Sequence, residues 1–65
     1  MTHDEAKMRV LAIREAAGDY ETAHSMEDEL YLDFVRHIAS GQSQYRAVAE
    51  EILKTRKFDF ARHCA

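Results

Sequence analysis

The stretch YETAHSMEDELYLDFVRHIAS, residues 20–40, decides the fold. Tyr20, Ala23, Leu30, Tyr31, Phe34, Val35 and Ile38 recur at spacings that put them on one side of a helix turning about 100° per residue. Asp19 is a good N-cap residue and Gly41 supplies the stop, so the spacing predicts one helix over 20–40. A later start is also readable. Ser25 followed by Asp28 resembles a capping box, and Glu27, Asp28 and Glu29 suit a first turn. The longer helix is preferred because Tyr20 and Ala23 are in phase with everything after them.

Working outward, Gly18 and Gly41 are the only glycines and proline is absent, so these two positions punctuate the chain. Before Gly18, Ala6, Val10, Ile13 and Ala17 mark a helix over about 4–17, with Asp4 and Glu5 in its first turn and Gly18 as the left-handed residue that ends it. Met8 and Leu11 lie off this stripe. After Gly41, Tyr45, Val48, Ala49, Ile52 and Leu53 predict a helix over about 43–56, with Ser43 as N-cap and Glu50–Lys54 as a surface pair. Phe58 and Phe60 predict a docked tail, with a short turn or helix over 59–63 that Asp59 would cap. No run alternates long enough to be a strand. The expectation is an all-α protein, a three- to four-helix array forming a single domain over 1–65.

A chain of 65 residues buries only about 60% of its unfolded surface, and small scaffolds usually lean on a staple, a metal or a partner. Cys64 is the only cysteine, so an intrachain disulfide is excluded and a reducing, cytoplasmic setting is expected. A homodimer is the expected remedy. The formal charge of −3 opposes binding by phosphate neutralisation, so a nucleic-acid partner is not expected. No stretch approaches the ~20 apolar residues of a membrane span, and the first residues lack the basic and apolar regions of a signal peptide.

Glu27 is the informative irregularity. Helical rotation puts it on the apolar side of the second helix, among Tyr20, Ala23, His24, Leu30, Tyr31 and Phe34, and a buried carboxylate is costly unless paired. His24, Glu27, Asp28 and Tyr31 then form a polar strip, with Arg62 and His63 as candidate partners. Four readings stand: a structural pair with His24, Tyr31 or Arg62 that pins the tail; a first-turn acid facing water; an interface in which Tyr20, Tyr31 and Phe34 are anchors; and a metal or catalytic site. For a metal, His24 and Asp28 are four apart and His63 with Cys64 could add nitrogen and sulfur, yet there is no close cysteine pair and no H-E-x-x-H motif. For catalysis, Cys64 with His24 or His63 could pair nucleophile and base, but a chain this small has little room for a pocket. His3 is expected near an exposed end and His37 on the polar side of its helix. Lys54, Arg56, Lys57 and Arg62 face the acids of the second helix and read as internal packing.

The stretches Ala23-His24-Ser25-Met26-Glu27-Asp28 and Asp59-Phe60-Ala61-Arg62-His63-Cys64-Ala65 resemble short bacterial and phage proteins in which an A-H-S-x-E-D stretch precedes a D-F-x-R-x-C-A ending. The resemblance covers most of residues 19–65. It implies a phage or prophage accessory protein and no particular residue roles; His63 departs from the aromatic that is more frequent at that place. The combined expectation is a helical protein-binding accessory protein rather than an enzyme, without cofactor or small-molecule substrate, whose binding candidates are Tyr20, His24, Glu27, Tyr31, Phe34 and Arg62. The alternatives are a small metal- or histidine-dependent enzyme using His24, Glu27 and Asp28, and a nucleic-acid accessory protein.

Overall fold

A computed structural model describes residues 1–41, 44–60 and Arg62. The described residues contain three α-helices, α1 (His3–Glu15), α2 (Tyr20–Ala39) and α3 (Tyr45–Leu53), the last running on into a single 3-10 turn at Lys54–Lys57. No strand occurs among them, so the protein is all-α. The α1 helix starts two residues after the N-terminus because the Thr2 hydroxyl accepts from the Glu5 amide at 3.1 Å, one of the amides that a helix start leaves unpaired. The α2 helix starts at Tyr20, where Asp19 accepts from the Thr22 amide at 3.4 Å and from its hydroxyl at 2.8 Å. That cap sets the full-length helix, so Ser25 is an interior residue.

The core is Ala6, Val10 and Ile13 of α1, Ala23 and Leu30 of α2, and Val48 and Ile52 of α3, with Met26, Tyr31, Phe34, Phe58 and Phe60 packed against it. Each helix gives a narrow stripe, and α1 packs against both α2 and α3. The Arg9 guanidinium adds a polar tie from α1 to α2, donating to Asp33 at 2.9 Å. Asp33 is held below the usual carboxylate range by this hydrogen bond, and by Arg36, against a smaller desolvation cost.

The structure corrects several expectations. On α2, Val35 and Ile38 are exposed, and His37 is buried in their stead. The buried line follows 23, 27, 30 and 37, with half-buried Phe34 between, and the next residues along, 35 and 38, turn outward by about 100°. Burying the His37 ring is eased by Phe34, whose ring stacks 6.2 Å away, and by the Met1 amino group, 3.2 Å from its Nδ1. On α3, Tyr45 and Leu53 are exposed while Glu51 is buried, and Thr55 of the following 3-10 turn is buried too. Lys54 pairs with Glu51 at 3.2 Å rather than with Glu50. The third helix is shorter than expected because its last turn tightens to 3-10 geometry; Ser43, the expected cap, lies outside the described residues. Asp59, Phe60 and Arg62 are not helical, and the carbonyls of Thr55, Phe58 and Phe60 accept instead from Arg62.

The two glycines differ. Gly41 ends α2 with a φ of 76°, a left-handed conformation costly for any residue with a Cβ. Gly18 has no positive φ, and nothing lies within 4 Å of the place a Cβ would take. The residue that closes α1 is Ala16, not Gly18 as expected. Gly41→Ala should therefore lose about 1 kcal/mol, and Gly18→Ala gain about 0.4–1 kcal/mol through a stiffer unfolded chain. Parallel urea melts check the opposite signs.

Candidate functional site

The polar centre is built around Glu27, in the middle of α2. Its residue is only 3% exposed, and two arginines from beyond α3 converge on it. Arg62 Nε donates to Oε1 at 2.7 Å and Nη2 to Oε2 at 3.3 Å, a two-point fork that suits the planar guanidinium. Arg56 Nη1 stands 4.0 Å from Oε1. Arg62 also donates to the backbone oxygens of Thr55 at 2.6 Å and Phe60 at 3.3 Å, and its guanidinium lies 3.9 Å from the centre of the Phe60 ring. One side chain thus fastens the segment after α3 to the middle of α2.

Burial pushes the Glu27 carboxyl up. Hydrogen bonds from Arg62 and Thr55, with the charges of Arg62 and Arg56, outweigh that and hold it below its ordinary value. Thr55 is fully buried, and its Oγ1 is 3.5 Å from the Tyr31 hydroxyl. Among the described residues no buried side-chain nitrogen or oxygen lacks a partner. The core is therefore polar at this point without leaving a charge or dipole stranded.

The other candidates distribute as follows. His24 is buried, with Nε2 3.5 Å from Asp28 Oδ1, and Asp28 itself is exposed. The expected four-residue strip therefore divides: Glu27 and Tyr31 point to Thr55 and Arg62, whereas Asp28 faces water. Phe34 is half-buried against the core, and Tyr20 is 39% exposed. His63 and Cys64 lie outside the described residues. Among the described residues, no three histidine, cysteine, aspartate or glutamate side chains are grouped to hold a metal ion. The hollow beside Glu27, lined by Asp28, Tyr31 and Arg56, has a volume of about 260 Å³, below the roughly 300–1,000 Å³ of small-molecule sites.

A second acid–base centre lies outside the sequence expectations. Glu51 of α3 is buried and accepts from His3 Nε2 at 3.2 Å and from Lys54 Nζ at 3.2 Å. Desolvation raises its carboxyl, and the hydrogen bonds and charges of Lys54 and His3 bring it below its ordinary value. A signal for Glu51 and Thr55 is present in the spacing, since 48, 51, 52 and 55 form one stripe. The basic cluster at the end of α3 is largely engaged in this way, Lys54 with Glu51 and Arg62 with Glu27.

No helix among the described residues is long and apolar enough to cross a membrane. Compared with protein-family models, curated proteins and solved structures, the chain matches none of them.

Proposed function

We propose that this is a cytoplasmic protein-interaction module of the phage or prophage accessory kind, which self-associates and presents helix faces to a bacterial or phage protein. The observation that carries the reading is the amount of apolar side chain left on the surface. Met8 and Leu11 of α1, Leu32, Val35 and Ile38 of α2, and Tyr45 and Leu53 of α3 are all at least 47% exposed. Apolar residues that adjoin on the surface mark association sites, and Leu32 and Val35, one helical turn apart on α2, adjoin in this way. The polar centre fits a scaffold role, because Glu27 and Arg62 satisfy each other's charge.

Light scattering on a size-exclusion column, across a concentration series with reductant present, tests it. The expected result is a dimer at tens to hundreds of micromolar that a chelator leaves unchanged. A monomer throughout that range overturns self-association. An assembly that falls apart with chelator overturns the metal-free reading.

A further inference from the structure

The α2 helix has a second face, turned away from the core, that the other described residues leave open. Glu29, Leu32, Val35 and Arg36 lie on it at successive turns, and all four are exposed. Leu32 is 47% and Val35 61% exposed. We propose that this face pairs with the same face of a second copy, the two α2 helices running antiparallel about a two-fold axis beside Leu32. The inference rests on the self-association reading above and specifies its interface.

Charge arrangement selects the second copy as occupant. Glu29 and Arg36 are seven residues apart, two turns, so they share one edge of the helix, to one side of Leu32, while Val35 lies to the other. An antiparallel two-fold brings together residues of the same edge that stand equally far on either side of the axis. With the axis midway between Glu29 and Arg36, at the level of Leu32, Glu29 faces Arg36 of the other copy, and the same pair repeats by symmetry. Leu32 then meets its own counterpart, with Val35 covering the opposite edge. A parallel pair would carry the Glu29 and Arg36 of the two copies to opposite edges of the contact, where they do not meet, so only the antiparallel pair uses these charges.

Both charges are placed to serve. Among the described residues Glu29 enters no ion pair within the chain, and Arg36 keeps a side chain 66% exposed although Nη1 donates to Asp33 at 3.1 Å. A self-complementary patch closes as a cyclic dimer and exposes no further copy of itself. A contact one helix wide buries less than the roughly 1,600 Å² of a standard interface, so a dimer in the micromolar range fits.

Sedimentation equilibrium on the full chain and three variants tests the arrangement. Glu29→Arg and Arg36→Glu should each weaken dimerisation at least tenfold, with helicity unchanged. The double variant Glu29→Arg/Arg36→Glu should return to within about threefold of the parent, because the charges are exchanged across the axis; a fold defect would not be rescued in this way. In a Cys64→Ser background, Leu32→Cys should form an intermolecular disulfide under mild oxidation and Val35→Cys should not, since only the axial residue brings two Cβ atoms close enough. A parent chain that stays monomeric overturns the self-association reading and this inference together. A dimer that ignores both charge reversals, or that cross-links at 35 and not at 32, overturns the register alone.

Discussion

Arg62→Ala is expected to cost about 3 kcal/mol or more, a large part of the roughly 3–10 kcal/mol available to a chain of this size. The substitution leaves Glu27, 3% exposed, without the fork that compensates its charge. It also releases the carbonyls of Thr55 and Phe60 and the contact with the Phe60 ring. Arg62→Lys should fall between, since an ammonium retains the charge and loses the two-point geometry. The double variant Glu27→Gln/Arg62→Ala should recover part of the loss, because no charge is then stranded. Urea unfolding of the parent, Glu27→Gln, Arg62→Ala and the double variant forms the cycle, with Arg62→Lys measured beside it. A change within about 0.5 kcal/mol for Arg62→Ala would show that Glu27 finds solvent or another partner without cost.

Three paired carboxylates, Glu27 among them, set the response to acid. Glu27, Asp33 and Glu51 are all held below their ordinary values in the folded protein. A lowered folded value means that the unfolded chain takes up protons first as pH falls. Stability is therefore complete above the unfolded values, 4.5 for the glutamates and 3.8 for the aspartate. It declines as pH drops through them toward the lowered folded values. Stability should thus be level from pH 7 to about 5 and fall below that. Arg62→Ala should flatten the fall. A parent protein whose unfolding midpoint is unchanged between pH 6 and pH 3 would contradict the pairing.

Leu30→Ala is expected to cost about 3–5 kcal/mol. Leu30 is fully buried at the meeting of the three helices, in one cluster with Ala6, Val10 and Ile13, and with Val48 and Ile52. Truncation removes the transfer energy of its methyl groups, and it also leaves a void that three helices must close around. In so small a core, no second layer compensates. The comparison is Leu32→Ala, two residues on and on the opposite face. In dilute solution, where the chain is monomeric, that change should stay within about 0.5 kcal/mol, while dimerisation weakens. Thermal melts at low and high concentration separate the effects. Equal losses for the two leucines would mean that α2 is buried on both faces within one chain.

How much of this is legible in the sequence depends on what each feature needs. The helices and their order follow from local information: the 3.6-residue period of Ala6, Val10 and Ile13 or of Ala23 and Leu30, the cap residue type at Asp19, and Gly41, which alone of the two glycines takes a left-handed turn. Glu27 is also marked, because a carboxylate on an apolar side conflicts with its surroundings whatever the partner is. The choice among its partners is not local. His24, Tyr31 and Arg62 are equal in sequence terms, and only the path of the chain after α3 carries Arg62 across 35 positions to reach it. The division between the two faces of α2 is likewise undetermined by the sequence. Val35 and Ile38 are more apolar than His37, and burial by composition alone would choose them. The packing of α1 and α3 fixes which arc of α2 is covered, and that arc takes in His37 and leaves Val35 and Ile38 outside. Periodicity by itself determined that these segments are helices with one apolar side. Tertiary packing decided which part of that side faces inward, because a helix several residues wide in apolar surface can be covered by its neighbours only along the line where they touch it.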